Sequence, residues 1–232
     1  MTAEFSTVGL TVYDALYGRK SVRAFLPDPV PRPAIERILA AAARAPSGNN
    51  VQPWRVRVLQ GAARDRLVAA VLAFRAAHPS QESWGYQYYP SQWRQPYLAR
   101  RRKVGWDMYG LLGIAKTDTE AMRRQMDLNF RFFDAPVGLL FTVDKHLELG
   151  SWIDCGMFVQ SVALAAQAEG LGTCLQAAWV AHADIVGQTV GLGEDERLVC
   201  GMALGHPDAN APVNRLVTER AALEEFVIFE DA

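Results

Sequence analysis

The stretch RAPSGNNVQPW, residues 44–54, separates an apolar helical pattern from an alternating strand pattern. Between its two prolines lie four uncharged polar side chains: Ser47, Asn49, Asn50 and Gln52. Amide side chains offer paired donors and acceptors, and a loop held by proline loses less entropy when it orders around a ligand. The stretch therefore suits either an ordinary helix-to-strand turn or a loop that binds a planar heterocycle with a mixed hydrogen-bonding edge, such as a flavin.

Helical and strand patterns alternate on both sides of this stretch. Apolar residues at helical spacing predict helices at 8–18, 33–45, 62–78, 97–113, 118–132, 151–168 and 182–190. Apolar runs predict strands at 54–59, 136–143 and 197–204, a short buried segment at 174–179 and a strand-like end at 226–229. Because no repeat, low-complexity tract or linker interrupts this order, the sequence predicts a single α+β domain over residues 1–232.

The composition is that of a globular protein without a basic excess. The 232 residues are 50% apolar and 21% charged with a net charge of −1, which disfavours nucleic-acid binding. Cys155, Cys174 and Cys200 are odd in number and widely spaced, which disfavours a disulfide framework or a zinc cluster. No signal peptide is visible, and no window approaches the roughly 20 apolar residues of a membrane span. We therefore expect a cytoplasmic protein with no metal site, nucleic-acid partner or membrane partner.

The segment RKSVR, residues 19–23, is a candidate anion receptor. If it is extended, the period of two places Arg19, Ser21 and Arg23 on one face and Lys20 on the other. Two guanidinium groups with a hydroxyl between them suit a phosphate dianion. A solvated basic turn has the same residues, so both interpretations stay open. Arg220, in the tail, is a further candidate for the same phosphate.

The segment GLGTCLQAA, residues 170–178, is a candidate for close approach of the backbone to a ligand. Ala177 and Ala178 are small enough to let their N–H groups reach a ring nitrogen or oxygen, although a buried strand has the same appearance. Gly170 and Gly172 follow a helix rather than a strand, so they form no dinucleotide fingerprint. An anion receptor, an amide-rich loop and a close-approach segment, without a nucleophile motif, are typical of enzymes that leave the chemistry to a cofactor.

Five segments in order resemble the FMN-dependent nitroreductase family, and in particular its nitrobenzoate-reductase-like branch. They are RKSVRAF at 19–25, APSGNNVQPWRV at 45–56, NFRFFDAPVGLLF at 129–141, WIDCGMFVQSVALAAQAEGLGTC at 152–174 and the segment 201–226. The resemblance implies a three-layer α+β sandwich in which helices flank a mixed, mostly antiparallel sheet. It also implies a homodimer that binds FMN at its interface, with the C-terminal tail at 206–232 exchanged onto the partner subunit.

The resemblance further implies which residues hold FMN. The phosphate and ribityl end is expected at Arg19, Lys20, Ser21, Arg23 and Arg220. The ring system and its pyrimidine edge are expected at Pro46, Ser47, Asn50 and Gln52. The region along the ring near N5 is expected at Leu175, Gln176, Ala177 and Ala178. No side chain is expected to be the catalytic group, because flavin N5 carries the hydride.

The implied mechanism uses one face of the flavin ring twice. NAD(P)H delivers a hydride to N5 and leaves, and a nitroaromatic or similar electron-poor acceptor then takes its place, which gives ping-pong kinetics. The aromatic loop at 79–96 is expected to cover this face, with Trp84 and Tyr86 shaping the choice of acceptor. Two alternatives remain: a reductive dehalogenase or flavin destructase of the same superfamily, and a non-enzymatic flavin- or RNA-binding module that uses the basic run at 100–103.

Overall fold

The computed structural model describes residues 10–230, and within them four strands form one sheet. The strands are β1 (Arg55–Gln60), β2 (Val137–Asp144), β3 (Gly172–Gln176) and β4 (Glu196–Gly205). Their order across the sheet is β1-β2-β4-β3, and all three pairings are antiparallel. The parallel part of the expected mixed sheet is confined to isolated bridges, one of which joins Ser21 to Thr173 in β3.

Seven α-helices lie in the described part of the chain. They are α1 (Val12–Gly18), α2 (Arg32–Ala42), α3 (Gly61–Ala77), α4 (Tyr97–Leu111), α5 (Thr119–Asp127), α6 (Leu149–Ala168) and α7 (Ala183–Val190). Each predicted helix is present, and all but the one predicted at 118–132 lie within a few residues of their expected bounds. Positions 8 and 9 of the first predicted helix and positions 231–232 of the tail lie outside the described residues.

The sheet is the middle layer of a three-layer sandwich, as expected. Val137 to Val143 in β2 are all buried, so both faces of this central strand are covered. Leu139 and Phe141 belong to a core cluster with α2 and α6, whereas Leu140 belongs to a cluster with α3 and α7. A strand covered on both faces reads as a continuous apolar run, which is why this one was visible in the sequence.

Two glycines let a buried aromatic pair lie directly on the sheet. A Cβ at Gly138 would lie 2.5 Å from the ring of Phe132, and a Cβ at Gly201 would collide with the ring of Trp179. Phe132 and Trp179 stack with their centroids 4.3 Å apart. Because Trp179 is in the 3₁₀ segment Ala177–Ala181, this packing sets the position of the segment that follows β3.

Two sequence predictions differ from the structure. The helix predicted at 118–132 ends at Asp127 and continues as the 3₁₀ segment Leu128–Asp134, in which Phe132 and Phe133 have positive φ. The end of the tail at 226–229 is not a strand, and Phe226, Ile228 and Phe229 are exposed. A strand requires a neighbouring edge for its hydrogen bonds, and this segment pairs with none of the described residues.

The expectation about membrane spans needs one correction. By length and composition alone, α6 is apolar enough to cross a membrane, with a mean hydropathy of 1.3. Core helices pass the same test, and Cys155, Phe158 and Val162 of α6 are buried in the core cluster beneath the sheet. Leu149 and Ile153 at the start of α6 are exposed, so this helix is apolar beyond the face that packs on the sheet.

Candidate functional site

The segment with three predicted phosphate-binding side chains lies along the outer edge of β3. The segment 19–23 runs beside this strand, and the Val22 N–H donates to the carbonyl of Thr173 at 2.9 Å. The next residue, Cys174, is buried, and this burial raises the pKa of its thiol. Three side chains near the thiol act on this pKa in the opposite direction: Arg23, Ser21 and Arg19. Arg19, Ser21 and Arg23 thus lie on the side of the segment nearest Cys174, and we call these three residues the cradle. Two guanidinium groups and a hydroxyl on one side of a segment suit a phosphate dianion.

Lys20 and Arg220 are not part of this cradle in the described chain. The Lys20 ammonium donates to the carbonyl of Asn214 at 2.6 Å, on the other side of the segment. The Asn214 side chain also accepts from the backbone N–H of Arg23 at 2.8 Å, so it joins the start of the tail to the cradle. The Arg220 guanidinium donates to the hydroxyl and the carbonyl of Thr218 and to the carbonyl of Glu219. For Lys20 and Arg220, contact with the phosphate and ribityl end of FMN therefore stays a prediction from the resemblance.

A cleft of about 650 Å³ lies beside the cradle. Its lining brings together two groups of predicted site residues: Arg23 from the cradle, and Leu175, Gln176, Ala177 and Ala178 from the close-approach segment. The opposite wall is one face of α4, with Arg101, Val104, Gly105 and Met108 at the spacing i, i+3, i+4 and i+7. One cleft therefore contacts an anion-binding group and an exposed backbone segment.

Gln176 contributes its backbone rather than its side chain. The side chain is buried; its Nε2 donates to the carbonyl of Asn129 at 2.7 Å, and its Oε1 accepts from the indole N–H of Trp179 at 3.2 Å. Both ends of the amide are thus used within the protein. Leu175, by contrast, is exposed toward the cleft. Alternation along β3 explains the difference, because neighbouring side chains point to opposite faces of a strand.

A charged network that the sequence did not reveal holds two walls of the cleft together. Arg75 on α3 pairs with Asp127 at 2.7 Å and bonds His182 Nε2 at 2.9 Å, and its guanidinium lies 4.2 Å from the Phe130 ring centroid. Burial and the Arg75 charge lower the pKa of His182, so the imidazole stays neutral and accepts this bond. Asp127 lies 52 residues from Arg75 in sequence and His182 lies 107 away, so no local pattern could mark the network.

The amide-rich loop has an unusual backbone. Asn49, Asn50 and Gln52 have φ of 48°, 56° and 50°, in the left-handed region that asparagine tolerates and glutamine rarely adopts. The Gln52 N–H donates to Ser47 Oγ at 3.0 Å, and the Gly48 N–H points to the buried Asp154 carboxylate at 3.2 Å. These contacts hold the strained turn while the Asn50 and Gln52 side chains stay exposed. Strained backbone of this kind is enriched at functional sites.

The amide-rich loop and the cleft lie on opposite edges of the sheet. The loop precedes β1, and β1 is separated from β3 by three strand spacings, or about 14 Å. None of Pro46, Ser47, Asn50 and Gln52 lines the cleft among the described residues. The structure therefore does not bring the two predicted halves of the site together within one chain.

The two residues expected to shape acceptor choice lie in different places. Trp84 lines the cleft, and Tyr89 lines it beside Trp84. Tyr86 does not: its hydroxyl donates to the carbonyl of Val199 at 2.6 Å, and its ring packs edge-on against Trp152 at 4.5 Å. Tyr86 thus anchors the loop to the sheet, and Tyr89 is the lining residue that the sequence did not single out. Neighbouring aromatic residues in an irregular loop give no periodicity from which their direction can be read.

The three-layer sandwich, with a cleft that joins a phosphate-type cradle to an exposed backbone segment at a sheet edge, defines an α+β cofactor-binding protein. The family model described as the nitroreductase family matches residues 16–206. The chain belongs to the nitroreductase family.

Relatives of known name match over nearly the whole chain. It is 40% identical to the nitrobenzene nitroreductase of Ectopseudomonas oleovorans, over 93% of this chain and 95% of that protein. It is 38% identical to the 4-nitrobenzoate reductase of Pseudomonas putida, over 94% of this chain and 95% of that protein. Its fold is similar to the crystal structure of the FMN- and NADPH-dependent nitroreductase NfnB from Sphigopyxis sp. strain HMH, with a TM-score of 0.94, 37% identity and coverage of 96% and 100%.

Proposed function

We propose that this protein is an FMN-dependent NAD(P)H oxidoreductase that reduces nitroaromatic acceptors. The observation that supports it most directly is the single cleft that contacts both Arg23 of the cradle and the segment 175–178. Two relatives that match more than nine-tenths of the chain are named for nitrobenzene and 4-nitrobenzoate, which favours this activity over dehalogenation or flavin destruction. Arg100 and Lys103 of the basic run are paired with carboxylates, which disfavours an RNA-binding module.

The residues present fit FMN. The guanidinium groups of Arg19 and Arg23 and the hydroxyl of Ser21 would hold its phosphate, and the backbone of Ala177 and Ala178 would lie along its ring. FMN, when bound, supplies hydride transfer through N5. The protein supplies position, hydrogen-bond donors and a cleft of mixed polar and apolar lining, and no side chain in this cleft needs to act as a nucleophile.

We infer that a second copy of the chain completes the site. Ser47, Asn50 and Gln52 are at the opposite sheet edge, so their contribution to the same flavin requires the loop of a partner. Exposed apolar side chains on α1, on α6 and in the tail offer the surface for such a dimer: Val12, Tyr13, Tyr17, Leu149, Ile153, Phe226, Ile228 and Phe229. We further propose that residues 1–232 are one domain, that the segment 206–232 docks on the partner, and that the protein is cytoplasmic, where its three buried thiols stay reduced.

Spectroscopy of the purified protein tests this function. We expect a yellow protein whose flavin absorbance is bleached by NADPH or NADH without oxygen and restored by nitrobenzene. The bleaching reports reduction of the cofactor, and the recovery reports acceptor turnover, so the two half-reactions are measured separately. A colourless protein that also fails to bind added FMN at micromolar concentration would contradict the proposal.

A further inference from the structure

The α4 wall of the cleft carries a guanidinium group that no carboxylate neutralises. Arg101 lies on the face of α4 that lines the cleft, and no carboxylate of the described residues lies within ion-pair distance of it. Two other cations of the basic run are paired: Arg100 with Glu225 at 2.8 Å, and Lys103 with Asp107 at 2.8 Å. Of the four cations of the run at 100–103, Arg101 is the one that lines the cleft.

The surroundings of Arg101 keep its donors free. Its guanidinium lies 5.1 Å from the ring centroid of Trp93, a cation–π contact that orders the group but does not cancel its charge. A guanidinium held in this way still presents a planar pair of N–H donors, which match the two oxygens of a carboxylate.

The remaining charges of the cleft leave an anion-binding position at Arg101. Arg75 is paired with Asp127, and Arg23 belongs to the phosphate cradle. Glu82 is the one carboxylate among the described residues that line the cleft, and it accepts the Trp84 indole N–H at 2.6 Å. The lining therefore carries three guanidinium groups against one carboxylate, around aromatic and apolar walls.

We propose that Arg101 is a specificity-determining residue that binds an anionic substituent, such as a carboxylate, on the aromatic acceptor. This proposal rests on the proposed function, since it concerns the acceptor of the same cleft. An aromatic acid is held by the apolar walls and oriented by Arg101, with its electron-poor nitro end toward the segment 175–178. A neutral nitroarene uses the same walls without this contact. The protein is then selective for nitroarenes that carry a negative charge.

A matched set of variants tests the assignment. Arg101→Gln removes the charge at the cleft, and Arg102→Gln removes the same charge from the next residue of α4, which does not line the cleft. We expect Arg101→Gln to lower kcat/KM for 4-nitrobenzoate about tenfold, mainly through KM, which is the size expected for one partly solvated charge-assisted contact. In Arg101→Gln, kcat/KM for nitrobenzene and the KM for NADPH should change by less than about twofold. Arg102→Gln should change none of these quantities.

A binding measurement separates this inference from the proposed function. The oxidised flavoprotein is titrated with 4-nitrobenzoate without a reductant, and the perturbation of the flavin spectrum gives Kd. We expect Kd to rise about tenfold in Arg101→Gln and to rise less in Arg101→Lys, which keeps the charge but not the planar fork. An unchanged Kd, an equal loss for nitrobenzene, or a loss confined to NADPH would overturn the assignment. If the wild-type protein binds 4-nitrobenzoate but reduces no nitroarene, the proposed function fails while the assignment of Arg101 stands.

Discussion

The two edges of the sheet carry the two polar halves of the candidate site, and they differ in how complete they are. At the β3 edge, the cradle of Arg19, Ser21 and Arg23 adjoins a cleft within the same chain. At the β1 edge, the amide-rich loop is held in a strained turn, but its Asn50 and Gln52 side chains face solvent and line no part of this cleft. The difference supports the proposal that the phosphate-binding side chains of one chain and the amides of a second chain contact the same flavin.

The largest expected effect concerns the β3 edge. Arg19→Gln combined with Arg23→Gln should raise the Kd for FMN by about 10²- to 10⁴-fold, because two charge-assisted contacts at about 1.5–3 kcal/mol each are lost. Flavin fluorescence quenching measures this Kd. Arg55→Gln on β1 is the matched control, since it removes an exposed arginine at the other edge; a similar loss in this control would remove the distinction between the edges.

The next effect concerns the β1 edge and the partner subunit. Asn50→Ala combined with Gln52→Ala should weaken FMN binding about 10- to 30-fold, because hydrogen bonds contribute about 1 kcal/mol each. Differently tagged chains then allow isolation of mixed dimers that contain one cradle variant and one loop variant. If each site takes its cradle from one chain and its loop from the other, one site of every mixed dimer is intact.

We therefore expect one tightly bound FMN per mixed dimer, measured by absorbance after tandem affinity purification. If cradle and loop belong to the same chain, both sites carry a defect, and no mixed dimer binds FMN with the wild-type Kd. That result would show that each flavin site is built from a single chain, in spite of the separation of the two edges.

A smaller effect separates the two aromatic residues of the loop. Tyr86→Phe should lower the free energy of unfolding by about 1 kcal/mol, because the hydrogen bond to Val199 is lost, and should leave acceptor preference unchanged. Trp84→Ala should leave stability within about 0.5 kcal/mol and change the ratio of kcat/KM between acceptors. Urea unfolding measures the free energy of unfolding, and steady-state kinetics measure the ratio of kcat/KM between acceptors. If Tyr86→Phe changed the ratio of kcat/KM between acceptors, the assignment of Tyr86 to a purely structural role would be wrong.

The smallest effect is a pH dependence at His182, which is buried and bonds the cleft-lining Arg75. The pKa of His182 is lowered by burial and by Arg75, so below about pH 6.5 the unfolded chain binds a proton that the folded protein excludes. His182 therefore makes stability fall with decreasing pH in that range and has no effect above it. Glu82 is the charged group that partly opposes this shift.

His182→Gln keeps an acceptor for Arg75 and removes the titration. We expect the wild type to lose more stability than the variant between pH 7.5 and 5.5, measured by urea unfolding at each pH. Carboxylates titrate equally in both proteins and cancel in the difference. Parallel pH profiles would contradict a neutral His182.

Local sequence determined much of this protein. The continuous apolar run at β2 and the helical stripe of α2 predicted the buried elements, because burial on one or two faces imposes a period that can be read directly. The period of two likewise predicted that Arg19, Ser21 and Arg23 face one way and Lys20 the other. Prolines and amides marked the loop at 44–54 as a turn, and its binding role stays a prediction.

Only the tertiary structure decided where these pieces meet. It placed Tyr86 on the sheet and Trp84 in the cleft, turned the Gln176 amide inward, and joined Arg75 to partners far away in sequence. It also separated the amide-rich loop from the cleft by the width of the sheet. These outcomes depend on strand order and on which distant side chains fill the same space, and a local period of two or 3.6 residues contains neither.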